Sequence, residues 1–283
     1  PVLSFEQIMA DKAIDAVIIA APAEQHFDLA KTALENGKHV FVEKPLALKT
    51  DDAEKLCKIA KDQKLTLMVG HLLQYHPVFL TLKEMLSLGN LGKIQYIYSN
   101  RLNLGKIRSE ENILWSFAPH DISMILGLVC DEPTSVYATG SCHLNPHIHD
   151  VTTTHLTFKN GVEAHVFVSW LHPFKEQKLV VVGDSGMAVF DDGLSWDQKL
   201  CIYPHKIGWV NGHPTPEKAE KFYVPIEESE PLKVECQHFI DCIKDKAPSR
   251  TNGEEGLRVL RVLDASQKSL NTQKTIYPGE SAE

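Results

Sequence analysis

The sequence has 283 residues, a formal net charge of −8 and 43% hydrophobic residues. That is long enough for two packed domains or one large one, and composition of this kind excludes a disordered chain. The acidic balance argues against a general nucleic-acid binder, whose affinity comes mainly from phosphate neutralisation, while leaving room for a local basic pocket.

The six cysteines (Cys57, Cys130, Cys142, Cys201, Cys236 and Cys242) are scattered and form no CxxC pair. Reduced thiols in a cytoplasmic protein are the simplest expectation. No apolar run approaches the roughly 20 residues that span a bilayer, and no signal peptide is visible. Neither a nucleic-acid nor a membrane partner is expected.

The chain opens at Pro1 without an initiator Met and runs straight into a helical pattern. Ser4 is placed to cap that helix, with Gln7 completing a capping box. Such a beginning leads us to expect further sequence upstream. Asp15–Ala21 is a continuous apolar run, as for a strand buried on both faces. Pro22 ends it. Glu24–Asn36 has helical spacing, and Gly37 is placed to close its C-terminus. His39–Val42 reads as a second strand, Thr50–Gln63 as a second helix and Leu65–Val69 as a third strand. This alternation predicts a parallel sheet with right-handed crossovers, the second half of a doubly wound domain.

After Gly70 the pattern changes. Pro77–Leu88 reads as a helix. Strands are predicted at Ile94–Ser99, Ser135–Gly140, Thr152–Phe158, Val162–Trp170, Lys178–Val182 and Met187–Phe190. Asn160-Gly161 is a hairpin signal between two of them, and one helix is predicted around His120–Leu128. Helices at Leu232–Lys244 and Gly253–Thr272 close the chain. A large mixed or antiparallel sheet with few helices indicates a second, α+β domain.

Three stretches stand where chemistry could occur. Glu43-Lys44-Pro45 follows directly on the strand His39–Val42, so Lys44 lies at a carboxyl end of the parallel sheet, outside which ligands of open α/β sheets bind. Pro45 biases Lys44 toward extended backbone angles and so directs its side chain. A lysine held there can give or take a proton; a solvated loop lysine is the bland alternative, and position alone favours it. Pro22-Ala-Glu-Gln-His26 follows the preceding strand, where a histidine can pack on or hydrogen-bond a ribose; a plain strand-to-helix turn fits equally well. In Trp115-Ser-Phe-Ala-Pro-His120-Asp121, His120 suits proton exchange near neutrality. The bland reading makes Asp121 an N-cap at the helix start and His120 a packing residue, and alone that reading is favoured.

The histidine-dense stretch His143 to His155 fits no zinc signature, and no metal is expected. No GxGxxG, P-loop or GxSxG motif is present. Gly183-Asp-Ser-Gly186 is not a phosphate loop, because it lies between two predicted strands and no helix follows it.

Taken in order, the stretches AVIIAAPAEQHFDLAKTALENGKHVFVEKPLAL, LMVGHLLQYHPVF, LGKIQYIYSNRLNLGKIR, ILWSFAPHDISMIL and VVVGDSGMAVFDD resemble the Gfo/Idh/MocA family. The tail from Pro231 to Leu270 is similar to that family's C-terminal region, so the resemblance covers essentially the whole chain. EKP after a buried strand is its most specific element. The resemblance implies a fold of the α/β plus α+β class. Residues 1–72 would be the C-terminal half of a Rossmann domain, its doubly wound parallel sheet partial and its glycine-rich loop upstream of Pro1. Residues 73–283 would be a substrate-binding and oligomerisation domain with a large mixed or antiparallel sheet.

The resemblance further implies NAD or NADP as cofactor, NAD favoured, and a carbohydrate-like secondary hydroxyl as substrate. It puts Lys44 and His120 at the reacting carbon, and Ala21, Pro22, His26, Glu43 and Lys44 near the cofactor. RLNLGKIR followed by LWSFAPHD is similar to the branch that dehydrogenates nucleotide-linked sugars, particularly UDP-N-acetylhexosamines at C3. Arg101, Asn103, Trp115 and Asp121 would then form the substrate pocket. A homodimer or homotetramer through the second sheet is also implied. One departure is Ser116, where most of the family carries an aspartate four residues before the histidine. Two rivals stay open: a non-catalytic, oligomeric sugar-binding homologue, and a lyase using Lys44 as a Schiff base.

Overall fold

The computed structural model describes residues 2–278. The chain begins with α1 (Phe5–Ala10), where the Ser4 side chain accepts from the Gln7 N–H and the Gln7 side chain returns to the Ser4 backbone, the capping box expected. Then β1 (Ala16–Ile19), α2 (Ala23–Glu35), β2 (His39–Val42), α3 (Thr50–Gln63) and β3 (Leu67–Val69) alternate. A short 3-10 turn covers Leu72–Tyr75. There follow α4 (Pro77–Ser87), β4 (Ile94–Leu102) and α5 (Ile113–Val129). The next strands are β5 (Pro133–Ser141), β6 (Val151–Phe158), β7 (Glu163–Ser169), β8 (Glu176–Gly183) and β9 (Met187–Asp191). Four more were not legible as strands: β10 (Leu200–Tyr203), β11 (Lys206–Val210), β12 (His213–Glu217) and β13 (Phe222–Tyr223). Helices α6 (Pro231–Asp245) and α7 (Gly253–Thr272) complete the order, and no helix of the described residues is long and apolar enough to cross a membrane.

These elements form two compact units. One runs to Tyr75 and takes back Glu230–Asp264; the other comprises His76–Ser229 and Ala265–Pro278. In the first unit β1, β2 and β3 lie in that order, all parallel, with Ile19 beside Val42 and Val42 beside Val69. Phe41 and Met68 point to the face covered by α6, where Phe41 meets Phe239 at a ring separation of 5.7 Å. Leu67 and Val69 alternate to the opposite face, where they pack on Gly253 and Gly256 of α7. With both faces covered, β2 and β3 read as apolar runs. β1 is the end strand of the described sheet, with Ile19 buried and Ile18 57% exposed.

The second unit holds an eight-stranded sheet in the order β13-β10-β9-β8-β4-β7-β6-β5. Only β4 and β7 run parallel; the other neighbours are antiparallel, so the sheet is mixed as expected. One face carries Ile97, Val166 and Leu156, all buried, and α5 packs on this side through β4, β6 and β7. The opposite face carries Tyr96, Tyr98 and His165, with Tyr98 stacked on His165 at 5.4 Å. The Asn160-Gly161 turn joins β6 to β7, and Gly161 takes φ +85°, which glycine adopts without penalty. Gly183 and Gly186 close the β8–β9 hairpin, Gly183 N donating to Gly186 O at 2.9 Å.

Helix α5 starts earlier than its sequence pattern indicated. Its N-cap is Asn112, whose side chain accepts from Trp115 N, so Pro119, His120 and Asp121 lie inside the helix rather than at its start. Proline marks a helix start only by preference. Here an apolar, buried helix tolerates one internally, and Asp121 has no capping role.

Candidate active site

In the first unit, parallel packing brings the two strand-end loops side by side. Glu43 N donates to Ile19 O at 2.9 Å, and Gly70 N donates to Val42 O at 2.8 Å, so the ladder extends past the strand ends and fixes where the EKP segment starts. Lys44 and Glu43 are half-buried there, and the Lys44–Pro45 peptide bond is cis. A side chain at Gly70 would come within 2.9 Å of Glu43 Oε2, so glycine at this position leaves the carboxylate its space.

Ala21 and Pro22 stand at the end of β1, half-buried and exposed respectively. Pro22 is the N-cap of α2 and offers no side-chain hydrogen bond to the first turn. That turn is therefore open to a polar or anionic group of a ligand, as expected where a sheet of this kind holds a nucleotide. Ala21, Pro22, Glu43 and Lys44 thus fit a cofactor-binding edge. His26 takes a different role from the ribose contact expected of it. The ring is 1% exposed, with Nδ1 2.7 Å from Pro45 O and Nε2 2.8 Å from Ala21 O. With both nitrogens occupied by backbone carbonyls, His26 ties the two loops together and has none left for a ribose.

The sequence reading missed a carboxyl cluster around this edge. Glu235 of α6 is 1% exposed, and its Oε1 has no hydrogen-bond partner among the described residues. Burial first, then the carboxylates of Glu43 and Glu255, push its carboxyl up to about 8. Glu255 in turn hydrogen-bonds His71, the buried residue just beyond β3. His71 had a legible signal, because it follows β3 much as Lys44 follows β2. Glu235, far downstream on α6, had none.

In the second unit His120 is half-buried on α5, one turn beyond the buried Ser116 and on the same helix face. The residues expected to form a substrate pocket are placed as follows. Arg101 and Asp121 are paired with each other: Arg101 Nε donates to Asp121 Oδ2 at 2.6 Å and Nη2 to Oδ1 at 3.2 Å. Ser99 Oγ adds a bond to the same carboxylate at 2.6 Å. Asp121 is 1% and Arg101 9% exposed, so this bidentate pair joins β4 to α5. Gln177 continues the network when its amide oxygen faces Arg101 Nη1 at 3.0 Å and its nitrogen faces Asp192 Oδ2 at 3.2 Å. Asp192 also meets Lys199 at 2.6 Å and His76 at 3.5 Å. The Trp115 indole donates to Gln267 at 3.1 Å. Asn103, just past β4, is half-buried. In the histidine-dense loop, Asp150 accepts from His143 N and Leu144 N, and among the described residues no group of three His, Cys, Asp or Glu could hold a metal ion.

Known proteins share the sequence pattern and the fold. The chain is 28% identical to the UDP-N-acetylglucosamine 3-dehydrogenase of Acidithiobacillus ferrooxidans over 91% of its own length and 78% of that protein. It is 27% identical to the scyllo-inositol 2-dehydrogenase (NAD(+)) of Bacillus subtilis, over 87% of this chain and 72% of that one. A solved structure of the Acidithiobacillus enzyme superposes with a TM-score of 0.83 at 26% identity, covering 98% of this chain and 83% of the other. Residues 1–71 match the oxidoreductase family with an NAD-binding Rossmann fold, and residues 79–189 match the GFO/IDH/MocA C-terminal domain. The chain belongs to the Gfo/Idh/MocA family of oxidoreductases.

Proposed function

We propose that this protein oxidises a secondary hydroxyl of a sugar, most specifically C3 of a UDP-N-acetylhexosamine, with NAD rather than NADP. The observation that carries the reading is the half-buried Lys44 at the carboxyl end of β2, beside the open first turn of α2. Ala21, Pro22, Glu43 and Lys44 would hold the dinucleotide, and when bound it supplies the two-electron sink that takes the carbon-bound hydrogen as hydride. Lys44 or His120 takes the hydroxyl proton as the carbon is oxidised, so that a ketone forms without a high-energy alkoxide. His26 holds the Ala21 and Pro45 loops in place. Asn103 is proposed to contact the substrate. Trp115 is proposed to do so through its ring, since its N–H is engaged by Gln267. The buried Arg101–Asp121 pair holds β4 to α5. The UDP-sugar and inositol dehydrogenases among the relatives support a polyhydroxylated substrate. The face of the second sheet bearing Tyr96, Tyr98 and His165 is proposed as the surface through which copies form a dimer or tetramer.

The test is Lys44→Ala, assayed with NAD and UDP-N-acetylglucosamine. Turnover should fall about 10²–10⁴-fold, the usual worth of a positioned acid–base group. NADH binding, followed by energy transfer from the four tryptophans, should change little. A Lys44→Ala variant with unchanged turnover would remove Lys44 from the mechanism.

A further inference from the structure

A cavity of about 700 Å³ lies in the first unit at the other end of its parallel sheet. His39 and Leu67, which open β2 and β3, are in its wall, whereas Lys44 and Gly70 follow the carboxyl ends of those strands. The length of β2, about 13 Å at some 3.3 Å per residue, separates the two. The cavity therefore lies outside the edge assigned to the dinucleotide.

Its walls combine two chemistries. Ala60, Leu65, Leu67, Ile243 and Pro248 make an apolar floor. Cys57 joins them as a neutral thiol, because burial, with a smaller contribution from Glu254, pushes it up to about 12. At the rim stand Lys61, Lys64 and Lys246, against a single acidic side chain, Glu254. Lys64 and Lys246 close α3 and α6 in the left-handed conformation, at φ 56° and 52°. Lysines at helix C-termini also offset the helix dipole, so the rim by itself does not mark a site. Ser249 does so independently. It lines the cavity, is 5% exposed, and its Oγ has no hydrogen-bond partner among the described residues. A buried hydroxyl left in that state is costly unless something entering the cavity satisfies it. The twenty-residue helix α7 starts at the same wall with Gly253, adding the positive end of its dipole.

We propose that this cavity is a second binding site, taking a small organic anion whose charged group meets Ser249 and the lysine rim while its apolar body lies on the floor. The volume suits a ligand of metabolite size. The inference rests on the cavity alone and does not depend on the reaction proposed above.

The probe is 8-anilinonaphthalene-1-sulfonate, an aromatic body carrying one sulfonate, titrated into the full chain by fluorescence. Saturable one-to-one binding is expected, unaffected by saturating NADH and unchanged in Lys44→Ala. Reversing the rim in the Lys64→Glu/Lys246→Glu double variant should weaken the probe at least tenfold. These side chains are exposed, so folding is retained, and a thermal unfolding curve verifies it. Ser249→Ala should weaken binding severalfold, and neutral N-phenyl-1-naphthylamine should bind less tightly than the sulfonate. Absence of saturable binding, equal affinity in the rim variant, or displacement by NADH each overturns the proposal.

Discussion

Two desolvated carboxyls, the buried Glu235 in the first unit and the half-buried Asp192 in the second, end up shifted in opposite directions. Glu235 in the first unit has Glu43 and Glu255 as its electrostatic neighbours and is pushed up to about 8. Asp192 in the second is also driven upward by burial, but His76 and Lys199 outweigh that and bring it down to about 2. Desolvation is common to both, so the sign is set by the company each keeps. In the second unit Asp192 is paired with Lys199, and the buried Asp121 with Arg101. At the strand ends of the first unit, like charges are gathered instead. Strongly perturbed carboxyls occur both in structural networks and at functional sites, and variants separate the two.

That contrast can be tested from either side. The largest effect on stability should come from Asp121→Asn, which leaves the Arg101 cation buried without its counter-charge. A loss of about 3–5 kcal/mol is expected from urea unfolding. The double variant Arg101→Met/Asp121→Leu should recover most of it. If the double variant also turns over substrate normally, the pair is framework alone; a stable but inactive protein would return it to the substrate site.

Glu235 should give the next largest effect. Its folded value lies above the ordinary carboxylate range, so stability is fully present below that range and is lost as pH rises through about 8. The loss should be roughly 2–4 kcal/mol, and Glu235→Gln should flatten it. A variant whose urea midpoint keeps the same slope between pH 5 and 9 would show that Glu235 is not the titrating group.

His26→Leu deprives the Ala21 and Pro45 carbonyls of their ring partner and should cost about 1–3 kcal/mol. Turnover should fall with it, because the loops bearing Lys44 lose their tie. The smallest effect belongs to Asp192. Its folded value is depressed, so its contribution is present above the ordinary aspartate value and lost as pH falls through about 2. Asp192→Asn should remove about 1 kcal/mol of it once solvent screening is allowed for. An unaltered acid limb would mean that the pairs Asp192 makes with Lys199 and His76 contribute nothing measurable.

The order of elements up to β9 and the place of Lys44 were legible in the sequence because both are local. Apolar periodicity marks a helix or strand within a dozen residues, and a lysine directly after a buried strand is at the strand's end whatever else the chain does. The same reasoning found the capping box at Ser4, the hairpin at Asn160-Gly161 and the mixed sheet of the second unit. It failed at α5, where a proline normally found at helix starts lies in the interior and the true cap, Asn112, precedes it by seven residues.

Only the tertiary structure decided which polar groups meet. Arg101 finds Asp121 across twenty residues, and the ring of His26 lies between the Pro45 and Ala21 carbonyls. Residues 230–264 return to the first unit, place Thr251 against β3 and bring Glu235 to Glu43. The burial of Ile19 and the exposure of Ile18 are likewise settled only by what packs on each face of β1. Local sequence specifies backbone conformation, because the forces involved act within a turn or two of chain. Ionisation, hydrogen-bond occupancy and burial depend on neighbours that only the completed fold supplies.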